Sequence, residues 1–245
     1  MKIRVALVSL GCAKNLVDSE VMIGLLSEAG FEPVVNLNKA DVLLVNTCAF
    51  IDEAQEEAVD TILSLAELKK KNPCRKLVVT GCLAQRFAED LLDEIPEIDA
   101  VVGTGDFAEI VKVVEDTLDG KRVKLVSKQP CFIYDETFPR RISTPRHTAY
   151  VKIAEGCSNK CSYCVIPEVR GEFRSRPIHS IVEEARNLAS DGARELILIA
   201  QDTTRYGQDL YGTYALDKLL KEVCRIDEVE WVRVLYMYPS RVTDE

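Results

Sequence analysis

The sequence predicts an α/β protein, with an N-terminal parallel α/β sheet domain followed by the first part of a (β/α) barrel. Three observations carry this expectation. Short β-rich runs alternate with helical patterns through the first half of the chain, which is the signature of a parallel sheet. The same rhythm resumes after residue 176. Between the two, residues 121–148 lose periodicity and gather Pro130, Pro139 and Pro145, as a linker does. The expected division is residues 1–125 for the sheet domain, 126–146 for the linker and 147–245 for the barrel portion.

The first strand is expected over residues 3–9. Its apolar stretch is short, is interrupted by Arg4 and runs into Gly11-Cys12-Ala13-Lys14-Asn15 without a small-residue cleavage site, so it does not read as a signal peptide. A helix follows over about 16–29, with Val17, Val21, Leu25 and Glu28 or Ala29 on one face and Gly30 as its stop. Val42-Leu43-Leu44-Val45 is the next clear strand, after a weaker one near 33–37. Residues 51–71 form a long helix with Ala54, Ala58, Ile62 and Leu65 on its apolar stripe, closed by Pro73. Leu77-Val78-Val79-Thr80 is a strand, 85–94 a helix, Ala100-Val101-Val102 an apolar run, and 106–118 a helix stopped by Gly120.

In the second half an apolar run, Tyr150-Val151-Lys152-Ile153-Ala154, reads as a strand. Pro177 opens a helix to about 190, and Asp191-Gly192 ends it. Residues 195–200 are a buried strand, 216–224 a helix and 231–236 a third strand. Three βα units in series open a barrel whose active residues sit at the carboxyl ends of its strands. Cys157, Gln201-Asp202 and Met237-Tyr238 fall at such ends. The pattern stops at Glu245 before a barrel could close, so the chain reads as a fragment of a longer protein.

Nine cysteines in 245 residues, 47% of them hydrophobic, point to metal binding or catalysis rather than a disulfide framework, and to the cytoplasm. Cys157, Cys161 and Cys164 stand at C-x3-C-x2-C spacing, a loop tight enough to turn three thiolates inward. Three ligands suit a structural zinc site badly, since it wants four. A four-iron cluster held by three cysteines keeps one iron open. A zinc knuckle, a disulfide and incidental cysteines are the alternatives. Cys12, Cys48 and Cys82 each follow a predicted strand and precede a helix. Carboxyl ends of parallel strands share one edge, so these three are expected to converge as a second thiolate set. Taken singly, each could instead be a small buried hydrophobe. Cys74, Cys131 and Cys224 occupy no repeated slot and read as incidental.

No run of eighteen apolar residues is present, so no membrane-spanning helix is expected. A net charge of −9 argues against bulk, sequence-independent nucleic-acid binding. Arg140, Arg141, Arg146, His147, Arg170, Arg174 and Arg176 nevertheless flank the cysteine loop. They form either a solvated face or a set that holds the anionic groups of a cofactor or partner.

Several stretches resemble the methylthiotransferase family of radical S-adenosylmethionine (SAM) enzymes: 9–20 (Ser9-Leu10-Gly11-Cys12 onward), Val45-Asn46-Thr47-Cys48-Ala49-Phe50-Ile51-Asp52, Thr80-Gly81-Cys82, Thr144-Pro145-Arg146-His147, the C-x3-C-x2-C loop with Tyr163 before its last cysteine, and Gln201-Asp202-Thr203-Thr204-Arg205-Tyr206-Gly207. Ala13-Lys14 and Asp202 match the branch that modifies an aspartate of small-subunit ribosomal protein twelve. The branch that modifies an adenosine of transfer RNA typically differs there. The resemblance implies two 4Fe-4S clusters, one held by Cys157, Cys161 and Cys164 and the other by Cys12, Cys48 and Cys82. It implies SAM both as methyl donor and as source of a 5′-deoxyadenosyl radical that takes hydrogen from the aspartate β-carbon. It also implies an electron donor protein, and SAM contacts from Tyr163, Gln201, Asp202 and Arg176. Loop capping is the plain alternative for Gln201 and Asp202. A transfer-RNA methylthiotransferase and a non-catalytic metal protein are the competing functions, the latter expecting closed four-ligand sites.

Overall fold

The computed structural model describes residues 2–73 and 75–242, so Cys74 lies outside the described residues. The chain divides into two compact units. The first is Met1–Phe132 with Pro139–Arg141 and Tyr163–Arg170; the second is Ile133–Phe138, Ile142–Ser162 and Gly171–Glu245.

The first unit is a parallel sheet flanked by helices. Its elements run β1 (Arg4–Ser9), α1 (Ala13–Glu28), β2 (Glu32–Pro33), β3 (Val42–Thr47), α2 (Asp52–Lys71), β4 (Lys76–Gly81), α3 (Cys82–Arg86), α4 (Ala88–Glu94), β5 (Ala100–Val102), α5 (Ile110–Leu118) and β6 (Val123–Leu125), with α6 (Ile166–Arg170) added from later in the chain. The six strands lie in the order β2-β1-β3-β4-β5-β6, every neighbour parallel. Every residue of β3 is buried, as a strand covered on both faces requires. In α2 the buried positions Ala58, Ile62, Leu65 and Ala66 recur at helical spacing. Asp52 and Glu53 in its first turn and Lys69, Lys70 and Lys71 in its last complement the helix dipole.

Several expectations are corrected here. The helix over 85–94 is two helices, broken at Phe87, whose backbone (φ −126°, ψ 36°) leaves the helix so that its ring packs on the core. The strand near 33–37 is only Glu32–Pro33, and Leu37–Lys39 forms a 3-10 turn held by Asn38 N–H donating to Asn36 Oδ1 at 3.0 Å. Helix α1 begins earlier, at Ala13, and β6 was not foreseen because three residues carry too little pattern.

The second unit contains β7 (Thr148–Lys152), β8 (Ala154–Glu155), β9 (Arg174–Ser175), α7 (Ile178–Ser190), β10 (Glu195–Ile199), α8 (Gln208–Tyr211), α9 (Leu216–Val223) and β11 (Trp231–Val234). Strands β11, β10 and β7 form a parallel three-stranded sheet, and β8 and β9 a short antiparallel pair. Strand β11 stops two residues early because Tyr236 takes a left-handed backbone (φ +63°), which no strand can continue through. Among the described residues no helix is long and apolar enough to cross a membrane.

Candidate metal centre

Strands β1, β3 and β4 are adjacent and parallel, so their carboxyl ends share one edge. The chain leaves β1 for β2 on one side and then crosses to β3 on the other. The crevice between β1 and β3 is therefore the switch point of the sheet, where open α/β folds take ligands. Cys12 caps the start of α1, Cys48 follows the last residue of β3, and Cys82 opens α3 directly after β4. Cys48 and Cys82 are 8% and 7% exposed, and Cys12 is half-buried.

Two glycines make that convergence sterically possible. Gly11 has φ +83°, and a β-carbon there would lie 2.7 Å from the Cβ of Cys48 and 3.1 Å from its Sγ. Gly81 has φ +96°, and its β-carbon would meet Asn46 Oδ1 and lie 2.5 Å from the Thr47 carbonyl. A side chain at either position would push the strand ends apart.

A buried polar network locks the same edge. Asn15 Nδ2 donates to the Leu10 carbonyl at 3.0 Å and to the Thr47 carbonyl at 2.9 Å, tying the ends of β1 and β3 together. Asn46 Nδ2 donates to the Asn15 carbonyl (2.8 Å) and to Ser19 Oγ (2.9 Å). Thr47 Oγ1 donates to the Thr80 carbonyl at 2.6 Å, tying β3 to β4. Asn15 Oδ1 accepts from Arg170 and, at 3.9 Å, from the Cys82 thiol. Arg170 is also paired with Asp18, Nη1 to Oδ2 at 2.8 Å. Burial pushes the Cys82 thiol above its ordinary range, while the charge and hydrogen bond of Arg170 oppose that shift. From the sequence, Asn15, Asp18, Asn46 and Thr47 carry no role of their own, and Arg170 stands only in the basic set flanking the cysteine loop.

This donor set fits an iron–sulfur cluster in its chemistry: three soft sulfurs on one edge, in a glycine-lined cradle, beside a buried cation that offsets thiolate charge. Among the described residues no three His, Cys, Asp or Glu side chains converge tightly enough to hold a single metal ion. A cluster would itself fill the space between its cysteines.

In the second unit Cys157 is buried at the end of β8, and its N–H donates to the Gly171 carbonyl at 3.0 Å. Cys161 is half-buried. Cys164, also half-buried, belongs to the 163–170 segment of the first unit, as does Tyr163, which is 85% exposed. Gln201 Nε2 donates to Glu155 Oε1 at 3.0 Å, and Glu155 in turn accepts from the buried ammonium of Lys152 at 2.6 Å. Asp202 is fully buried and accepts from Asn159 Nδ2 (2.7 Å), Thr204 Oγ1 (2.5 Å) and Arg241. The carboxylate thus braces the cysteine loop through Asn159. Tyr238 lies beside Cys161, and burial followed by that thiol raises its phenol above the ordinary value.

For the buried members of the basic cluster the solvated-face reading is corrected. Arg140 pairs with Glu20 at 2.7 Å, Arg170 with Asp18, and Arg176 with Glu184 while stacking 4.5 Å from the Tyr134 ring. These three are internal ion pairs, not a solvated face. Cys131 and Cys224 are exposed.

Two family profiles match the chain. UPF0004, described as an uncharacterized protein family, covers residues 4–103 and so Cys12, Cys48 and Cys82; the radical SAM superfamily covers residues 151–243 and so Cys157, Cys161 and Cys164. The ribosomal protein uS12 methylthiotransferase RimO of Desulforamulus reducens is 55% identical over 98% of this chain and 54% of its own length. Proteins of the same name from Pelotomaculum thermopropionicum and Clostridioides difficile are 53% and 49% identical, over 100% and 99% of this chain and 55% and 54% of their own lengths. The chain thus carries a UPF0004 segment followed by a radical SAM superfamily segment, and over nearly its whole length it is similar to proteins named uS12 methylthiotransferases. It spans about half the length of the curated relatives it matches. Among solved structures, the radical SAM methyltransferase TsrM from Kitasatospora setae, with tryptophan substrate and a SAM analogue bound, is similar with a TM-score of 0.59 over 92% of this chain and 51% of that one. At 17% identity that likeness speaks for the fold alone.

Proposed function

We propose that this chain is the cluster-bearing part of an enzyme that adds a methylthio group to the β-carbon of an aspartate in small-subunit ribosomal protein uS12. The observation that carries the reading is the arrival of Cys12, Cys48 and Cys82 at the ends of three adjacent strands, on a chain that also holds the C-x3-C-x2-C loop. The names of its relatives support the substrate. Cys12, Cys48 and Cys82 would hold one 4Fe-4S cluster and Cys157, Cys161 and Cys164 the other. A reduced cluster with an open iron supplies the electron that splits bound SAM.

The rest is work for this chain's own side chains. Gly11 and Gly81 keep the first cradle open, and Asn15 and Thr47 fix the spacing of its three loops. In the second unit Asp202 and Asn159 hold the cysteine loop in place. Gln201 has one buried amide oxygen without a partner among the described residues, suited to accept from a cofactor donor group. Tyr163 offers an exposed ring for stacking. Arg176 serves SAM indirectly, by holding the β7–β9 region through its bonds to the Lys152 carbonyl (3.0 Å) and Glu184. Residues 1–125 and 147–245 would be the two functional domains joined by 126–146, acting in the cytoplasm with an electron donor protein.

The test is iron and sulfide content after anaerobic reconstitution, in the unaltered chain and with Cys157, Cys161 and Cys164 all changed to alanine. Two clusters predict about eight irons per chain, falling to about four. About four falling to none would remove the N-terminal cluster, and zinc without iron would remove the reading altogether.

A further inference from the structure

Arg170 ends α6 and is almost wholly buried within the first unit. A guanidinium taken out of water at this depth is costly unless its donors are satisfied. Asp18 receives one nitrogen and Asn15 Oδ1 the other. The Cys82 thiol reaches that same Asn15 oxygen at 3.9 Å, and the charge and hydrogen bonding of the guanidinium act on it. Asp18 and Asn15 of α1 and Cys82 of α3 therefore gather around one planar fork, a shape that arginine supplies. Lysine carries the same charge but no fork. A residue only six positions after Cys164 is thus committed to the cysteine set at the other end of the sequence.

We propose that Arg170 is a positioning residue of the centre at Cys12, Cys48 and Cys82, donating to the Cys82 sulfur and holding the reduction potential of the bound cluster up. The inference rests on the two-cluster reading above. Its physical basis is that a cation and a hydrogen bond at a ligating sulfur withdraw charge from the cluster and favour the state with one more electron. Asp18 sets the guanidinium plane, and Asn15 carries it to the loop ends.

The experiment is a redox titration of the N-terminal cluster, followed by electron paramagnetic resonance, in protein whose Cys157, Cys161 and Cys164 are alanine. R170K and R170Q are compared in that background, with V169A as a neighbour that alters packing alone. The expected result is a tenfold or larger loss in the reduction equilibrium for R170Q, 59 mV for a one-electron couple. R170K falls between R170Q and the parent, and V169A leaves the potential in place. Equal potentials at equal iron content overturn the inference while leaving two clusters standing. Should R170Q hold no iron, R170K decides: a lowered potential supports the role and an unchanged one overturns it. A parent without iron refutes the two-cluster reading and the inference with it.

Discussion

At Gly81 the backbone is left-handed and a methyl group would meet Asn46 and the Thr47 carbonyl. Gly81→Ala is therefore expected to cost at least about 1–2 kcal/mol from backbone conformation alone. Calorimetry should show melting lowered by roughly 2–4 °C for each kcal/mol lost, and reconstituted iron should fall with it. An unchanged melting curve would mean that the strand ends are free to spread. The residues that hold this edge were only partly readable beforehand. Cysteines announce themselves through spacing and through their repeated slot after a strand. Asn15 and Asp18 do not, because a polar residue inside a helix looks solvent-facing until its partner is known. Asn15 meets Thr47, 32 positions away, and Asp18 meets Arg170, 152 positions away. No local pattern encodes such pairs.

Elements with long periodic runs were easier to read than short ones. Helix α2 shows why: its stripe at Ala58, Ile62 and Leu65 recurs at the helical period and is buried where the spacing puts it. The neighbouring Leu63 faces outward and is 46% exposed. Ile62→Ala should cost about 2–5 kcal/mol through a cavity under the sheet. Leu63→Ala should stay within about 0.5 kcal/mol. Urea titrations of the two variants, one residue apart, check the helical face directly; similar losses would refute it. Short elements lack this redundancy. Strand β6 has only three residues, and the α3–α4 break depends on where the Phe87 ring finds room. The end of β11 is decided by Tyr236, whose left-handed backbone is held where Thr203 Oγ1 donates to the Leu235 carbonyl at 2.8 Å.

At the scale of the molecule, the first unit is assembled from three separated stretches. Its core receives Val169, with Val165 and Ile166 packed against it, and Thr104 donates to the Val169 carbonyl. A chain ending at residue 132 would lose α6 and leave Asp18 buried without its cation. Breaking a buried pair in this way costs about 3–5 kcal/mol. Such a truncation should unfold at clearly lower urea than the first unit does within the whole chain, as followed by hydrogen exchange of β3 and β4 amides. Equal protection would show that α6 adds nothing. The threading of Tyr163–Arg170 back into the first unit has a consequence for how such a protein can be reshaped. No single crossover point separates the units, so exchanging one half for that of a distant cousin would split Asp18 from Arg170. A recombinant that keeps this ion pair within one parent's sequence has to carry the eight-residue insert along with the sheet domain it completes.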